Sequence, residues 1–225
     1  MLPIHERFLT WQGEGVHMGR AAFFIRTFGC PMHCPWCDSA GTWHPSYVPK
    51  QIERMDEKAL MFEAEMSGAP IVVVTGGEPA VHDLLRLTSL IKRQNRHIET
   101  SGAFPIKGTF DWITVSPKNK WAKPVTDENI LLADEFKLII EHPDDLSYWA
   151  PIIQRGGYRG QPIWLHPEWS KRNDASVLNA ISAWVKDAGE TFRVGYQLHK
   201  LYKVDVLDNR TAAPVPLGGN PSLGY

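Results

Sequence analysis

Cysteine is almost absent from this chain of 225 residues: there are three, all between positions 30 and 37. A set so small, odd in number and closely spaced excludes a disulfide framework, which needs even numbers spread along the chain. Its absence elsewhere points to a reducing compartment, hence the cytoplasm. An excess of one charge is also missing, with 24 Lys and Arg against 25 Asp and Glu. That balance speaks against a protein that grips nucleic acid along a basic face, while leaving a nucleotide-like ligand open. No apolar run approaches the roughly 20 residues of a membrane helix, so no membrane partner is expected. The first residues carry His5, Glu6 and Arg7 where a secretory leader would be apolar, so none is expected. What is present is hydrophobic residue, 43% of the chain, enough for one sizeable core.

From Ala22 onward short apolar runs alternate with amphipathic stretches. The runs 22–28, 71–75, 97–100, 112–116, 136–140, 163–166 and 192–197 read as strands, several β-branched and bounded by Gly, Pro or Ser. Between them, Ile52, Met55, Ala59, Phe62 and Met66 form one helical stripe. Val81, Leu84, Leu85, Thr88 and Ile91 form a second, and Val177, Leu178, Ile181, Trp184 and Val185 a third. A fourth helix is expected over 144–154, with Pro143 near its first turn. Strand and helix in repetition mean βαβ units and a mainly parallel sheet. The interval Ser101–Asp111 has only eleven residues, with Gly102, Pro105 and Gly108, too few for an ordinary helical crossover. The expectation is α/β: a partial, open (β/α) barrel of about seven strands with a shortened or missing crossover helix. Ligands should sit at the carboxyl ends of its strands. Residues 1–210 read as one domain, and 211–225, rich in Pro and Gly, as an irregular tail.

Cys30, Cys34 and Cys37 follow the first run, in GCPMHCPWCDS. Thiolates on a loop can converge on one metal centre. A closed zinc site would have to recruit His33, His44 or another group as its fourth ligand. A four-iron cluster normally takes four cysteines, so three would leave one iron open to a ligand. Three buried thiols packed as small hydrophobes fit poorly with the intervening prolines and His33.

The C-x3-C-x2-C spacing, with Trp36 before the last cysteine, resembles the radical S-adenosylmethionine (SAM) enzymes. Thr75-Gly76-Gly77-Glu78-Pro79 is similar to their glycine-rich motif, where consecutive glycines let backbone carbonyls approach the SAM amino group. Trp11 to Gly15, Arg26, Cys37-Asp38-Ser39, Ile98 to Gly102, Ser116-Pro117-Lys118 and Gln197 to Lys200 narrow the resemblance to the 7-carboxy-7-deazaguanine synthase family. The resemblance implies the radical SAM fold and conversion of 6-carboxy-5,6,7,8-tetrahydropterin to 7-carboxy-7-deazaguanine, on the route to queuosine and other 7-deazapurines. It implies hydrogen abstraction from C6 of the pterin, ring contraction, loss of ammonia and regeneration of SAM, assisted by Mg²⁺. No catalytic residue beyond the cluster and SAM is implied.

Residue by residue, the resemblance gives Cys30, Cys34 and Cys37 to a [4Fe–4S] cluster. It gives Trp36, Cys37, Asp38, Gly77, Glu78, Ser116, Pro117, Lys118, His166 and Pro167 to SAM. It gives Trp11, Gln12, Gly13, Glu14, Arg26 and Thr75 to the substrate, and Ser39 to Mg²⁺. Gln12 offers both donor and acceptor to an aminopyrimidinone edge. Arg26 can take the substrate carboxylate bidentately. Gly13, Gly15 and Gly19 have the wrong spacing for a dinucleotide fingerprint and no preceding strand is read there. Ser39 and His166 depart from the family's usual threonine and glutamine. The partners implied are the pterin, a flavodoxin-like electron donor and a second copy of the chain. Two rival readings are a small radical SAM activase that makes a glycyl radical on a protein, and a non-catalytic zinc module.

Overall fold

The computed structural model describes residues 1–120, 122–155 and 157–202; the tail 211–225 lies outside the described residues. Nine strands are present among them: β1 Leu2–Trp11, β2 Ala21–Thr27, β3 Glu53–Met55, β4 Ile71–Gly76, β5 Asn95–Thr100, β6 Trp112–Val115, β7 Glu135–Ile140, β8 Ile163–Pro167 and β9 Phe192–Val194. They form one sheet in the order β3-β1-β2-β4-β5-β6-β7-β8-β9. Every neighbouring pair from β2 to β9 is parallel. The first and last strands of that order do not pair, so the barrel is open, as the count of about seven strands, one short of a closed barrel, led one to expect.

The seven expected strands are those seven parallel ones. β1 and β3 were not legible. In β1 the polar triplet His5-Glu6-Arg7 interrupts the apolar alternation, and a register shift falls between Ile4 and Glu6. Both β1 and the three-residue β3 exist through pairing, β1 antiparallel to β2 and β3 antiparallel to β1. A strand therefore does precede Gly13, contrary to expectation. The dinucleotide reading still fails, because another strand rather than a helix follows those glycines.

The helices are α1 Glu57–Ser67, α2 Leu85–Leu90, α3 Asp127–Leu132, α4 Asp145–Arg155, α5 Ala175–Ala188 and the short α6 Leu198–Leu201. Asp56 starts α1 by accepting a hydrogen bond from the Lys58 N–H, and Gly68, at φ 70°, ends it. This cap corrects the predicted stripe. Ile52 and Met55 precede the helix, and the buried face is Leu60 and Ala64, while Phe62 and Met66 are 60% and 71% exposed. In the second stripe Leu84, Thr88 and Ile91 are buried, but Val81 and Leu85 face solvent. α5 keeps its expected face through Val177 and Ile181. α3 is too short to show a period.

No α-helix occupies the interval between β5 and β6. The carbonyls a helix would have satisfied are met from outside: Asn129 Nδ2 of α3, itself buried, donates to Gly102 O and Phe104 O, both at 2.8 Å.

Each inner strand has two characters. In β7, Phe136, Leu138 and Ile140 pack under α4 and α5, whereas Lys137 and Ile139 line a cavity. In β2, Phe23 and Ile25 join the core beneath α1 and α2, whereas Phe24 and Arg26 face the cavity. Period-two alternation thus separates core from site along one strand. The core is well filled: Phe136 and Trp149 are essentially inaccessible, and truncating either to Ala would cost about 3–5 kcal/mol.

Candidate functional site

One cavity of about 280 Å³ runs from the loops at the carboxyl ends of the strands along the inner face of the sheet. Its mouth is built from the segment after β2. Gly29 adopts φ 99°, turning the chain so that Cys30, Cys34 and Cys37 face the cavity. The thiols sit in an apolar shell with Met32, Trp36, Ala103 and Phe104. Burial pushes Cys30 up to about 11 and Cys37 up to about 12. They are neutral thiols until metal binding displaces the protons.

The glycines after β4 make the close approach possible. A Cβ on Gly77 would lie 2.3 Å from Gly29 O and 2.8 Å from Cys30 Cβ, and one on Gly76 would lie 2.3 Å from Thr27 Oγ1. The donor set therefore fits a four-iron cluster with one iron left open: three soft thiolates, an apolar shell and a side-chain-free backbone wall. Zinc does not fit as well. No group of three or more His, Cys, Asp or Glu among the described residues is arranged to hold one ion. His33 stacks on Trp43 with centroids 4.4 Å apart, and neither His33 nor His44 lines the cavity.

Glu78, expected beside SAM, is fully hydrogen-bonded within the protein. Its Oε1 accepts from Thr100 Oγ1 and the Ala80 N–H, its Oε2 from the Ser101 N–H and Ser101 Oγ. Those four donors fill the carboxylate's lone pairs, so Glu78 ties the end of β5 to the glycine turn. Lys118 donates to Ser116 O at 2.8 Å and Ser116 Oγ at 2.6 Å, with its Nζ 5.2 Å from the Trp36 ring centroid. Ser116, Lys118, Trp36 and Gly77 all line the cavity; Pro117 and Pro167 are buried beside it without lining it.

The opposite end carries a feature that strand order alone did not suggest. Trp11 pairs with Ala21 at the amino end of β2, so the following loop leaves the sheet on the side away from the cysteines. It closes the cavity from below. Glu135 anchors it by accepting from the Val16 N–H at 2.8 Å, while Trp112 Nε1, Thr114 Oγ1 and Trp164 Nε1 donate to the same carboxylate. A Cβ on Gly15, at φ 70°, would collide with Glu135 at 2.5 Å.

Glu14 then meets Lys137 Nζ at 2.5 Å, and Lys137 lies 3.5 Å from Glu99. Gln12 Nε2 donates to Glu99 at 2.8 Å, and Thr75 Oγ1 lies 3.5 Å from Glu99. Burial raises the Glu14 pKa, but Lys137, with lesser help from His166 and His199, overrides it and holds the carboxyl well below the ordinary value. Lys137, despite burial, is held above its ordinary value by Glu14 and Glu99.

Arg26 is engaged: its Nε donates to Glu6 at 2.6 Å and its Nη1 to Ser39 Oγ at 2.9 Å. Ser39 Oγ lies 3.4 Å from Asp38 Oδ1, and Asp38 pairs with Lys200 Nζ at 3.1 Å. The segment after β9 thereby reaches the cysteine loop. It also meets the lower loop, through the Leu198 N–H to Gly13 O at 3.1 Å and His199 against Gly13.

Seventeen of the nineteen positions expected in the site line this one cavity; only the two prolines do not. Sequence reasoning missed Lys137, Glu135 and the ring of His199. Lys137 and Glu135 were readable only as charges interrupting an otherwise apolar strand, EFKLII, which is costly unless they are paired.

Comparison with known proteins gives a consistent picture. A family model described as "4Fe-4S single cluster domain" matches residues 11–142. The chain is 40% identical over 200 residues to 7-carboxy-7-deazaguanine synthase of Synechocystis sp., covering 88% of this chain and 91% of that one. It is 37% identical over 207 residues to the enzyme of that name from Flavobacterium psychrophilum, covering 91% and 93%. The fold is similar to the crystal structure of QueE from Escherichia coli, with TM-score 0.76 and 30% identity over 88% of this chain and 94% of that one.

Proposed function

The chain belongs to the 7-carboxy-7-deazaguanine synthase family, and from that premise we infer how its own residues serve the reaction. It is a radical SAM lyase that converts 6-carboxy-5,6,7,8-tetrahydropterin to 7-carboxy-7-deazaguanine in queuosine biosynthesis, with a [4Fe–4S] cluster and SAM as cofactors. The observation that carries this reading is the single cavity with three thiols at its mouth and a loop of hydrogen-bonding groups at its floor. The cluster and SAM, when bound, supply hydrogen-atom abstraction from carbon. The protein supplies everything else.

Cys30, Cys34 and Cys37 hold the cluster. The backbone of Gly76 and Gly77 takes the SAM amino group, while Trp36, Asp38, Ser116 and Lys118 flank the rest of SAM. Gln12, Gly13 and Glu14, with Trp11 and Thr75, bind the pterin from the floor. Lys137 keeps Glu14 ionised, so Glu14 acts as an acceptor rather than a donor. Arg26 takes the substrate carboxylate, and Ser39 gives one neutral oxygen to Mg²⁺. Their 2.9 Å hydrogen bond supports both roles at one point of the cavity. The substrate carboxylate would join Glu6, on Arg26, and Asp38, beside Ser39, in balancing the charge of the guanidinium and a divalent ion. The enzyme works in the cytoplasm as a homodimer with a flavodoxin-like donor. No helix among the described residues is long and apolar enough to cross a membrane.

Anaerobic turnover of the cluster-loaded protein with the carboxypterin, SAM, a reductant and Mg²⁺ tests the assignment. Formation of the deazapurine is expected. A fully loaded protein that cleaves SAM yet leaves the authentic pterin unchanged would overturn it.

A further inference from the structure

We propose that Glu6 is a positioning residue for substrate binding: it holds Arg26 at Nε, so that the guanidinium meets the substrate carboxylate end-on, through its two terminal nitrogens. This rests on the role given to Arg26 above.

A shift in strand pairing puts Glu6 in place. From Glu6 to Trp11, β1 pairs with β2 in one unbroken register, whereas Ile4 pairs with Thr27, one residue out of step. Had the register of Ile4 continued, His5 would stand opposite Arg26, and Glu6 opposite Ile25, which belongs to the core. The shift instead sets Glu6 opposite Arg26. A one-residue slip exchanges the two faces of a strand, and the exchange is visible along β1. Leu2 and Ile4 lie in the core, while Phe8 and Thr10 line the cavity. His5 and Glu6, though consecutive, both line the cavity, as an extra residue in one strand allows. Such bulges re-aim side chains beside sites, and the side chain re-aimed here is Glu6.

The pair is then locked. Arg26 Nε donates to Glu6 at 2.6 Å, with the two side chains 20% and 10% exposed. One rung along the same face, Phe8 pairs with Phe24. Their rings stack with centroids 5.6 Å apart and planes within 9°, which resists sliding of the two strands. A guanidinium takes a carboxylate side-on, through Nε and one terminal nitrogen, or end-on, through both terminal nitrogens. Glu6 holds the Nε position. A second carboxylate is therefore met end-on, where Nη1 already reaches Ser39 Oγ at 2.9 Å. Without a partner at Nε, the flexible stem would let the guanidinium present either edge. A buried ion pair adds little net stability by itself, so the worth of this one lies in orientation.

The test separates reach from charge in cluster-loaded proteins. Glu6→Gln keeps the length and an acceptor for Nε, while Glu6→Asp keeps the charge and shortens the reach. Anaerobic equilibrium dialysis reads pterin and SAM binding separately, and turnover gives KM and kcat. Glu6→Asp should weaken pterin binding and raise its KM about tenfold, with SAM affinity little changed and kcat less affected. Glu6→Gln should bind pterin within about threefold of wild type. In an Arg26→Ala background the two Glu6 variants should bind pterin alike, because residues that act through one another are not additive.

Three results would overturn the proposal. One is a Glu6→Asp variant that binds pterin as wild type does, whatever its Tm, which would make the pair structural. Another is Glu6→Gln losing as much pterin affinity as Glu6→Asp, since charge and not placement would then matter. The third is a Glu6→Asp loss that persists in the Arg26→Ala background, which would put Glu6 itself on the ligand. If Arg26→Ala alone binds pterin as wild type does, the carboxylate role of Arg26 fails first, and the proposal with it. Should Glu6→Asp not fold, Glu6→Asn against Glu6→Gln makes the same comparison of reach between neutral side chains.

Discussion

Replacing Lys137 with methionine should expose how much of the cavity's order depends on one buried cation. The side chain keeps its length and apolar stem but loses the charge that lies 2.5 Å from Glu14 and 3.5 Å from Glu99. Lys137, Glu14 and Glu99 have side chains only 9%, 13% and 19% exposed. Two largely buried carboxylates would thus lose the cation they share. Breaking a buried pair in this way costs about 3–5 kcal/mol, and the residual exposure places the expected loss near the lower figure. At roughly 2–4 °C per kcal/mol for a chain of this size, Tm should fall by about 6–12 °C near neutral pH.

The pH dependence carries the sharper signature. In wild type the folded Glu14 pKa lies below its ordinary value of 4.5. The pair's stabilisation is therefore complete above that value and is lost as pH falls through the folded one. In the variant burial is opposed only by the lesser effects of His166 and His199, so the folded Glu14 pKa rises relative to wild type and acidification relieves the strain. The gap in Tm between the two proteins should narrow as pH drops from about 7.5 to about 5. Calorimetry of both proteins under anaerobic conditions measures it, and Glu14→Gln added to the variant should restore most of the loss. A gap under about 2 °C, or one of equal size at both pH values, would refute the reasoning.

The other predictions rest on separate parts of the molecule. Gly77→Ala places a Cβ 2.3 Å from Gly29 O, an overpacking worth about 1–3 kcal/mol; it should reduce iron content, with normal loading refuting it. Arg26→Ala should raise the substrate KM at least about tenfold, roughly 1.4 kcal/mol, more than it weakens SAM; the reverse order, read by binding titration, would contradict the carboxylate role. His97, buried against His17 with ring centroids 4.5 Å apart, has its pKa lowered by burial to about 4 from 6.5. Its neutral form stabilises fully above pH 6.5, and roughly 3 kcal/mol is lost as acid charges the unfolded chain first. His97→Gln should therefore flatten the fall in Tm between about pH 6.5 and 4, and unchanged slopes would exclude His97 as its source.

Where the helix stripes misled, the reason was local. Phe62 and Met66 are as apolar as Leu60, and only the cap at Asp56 and the packing of α1 decided which face turned inward. β1 was hidden because Arg7 answers Glu53 and Glu63 while Glu6 answers Arg26. Those charges look like loop residues until their partners, far along the chain, are in place. Glu78 was legible as part of a glycine motif, but its four donors come mainly from the end of β5, so its role was not.

What the sequence by itself determined is the chemistry that depends on short spacing. Three cysteines within eight residues, paired glycines after an apolar run and a crossover too short for a helix are local facts, set by covalent reach and backbone sterics. The tertiary structure alone decided how the site is closed. The loop after β1 crosses beneath the sheet because Glu135 holds it, and Glu14, Lys137 and Glu99 become one network although 123 residues separate the first two. The inner face of an open barrel collects every second residue of many strands. Which charges neutralise one another there follows from strand order and register, which no short stretch of sequence contains.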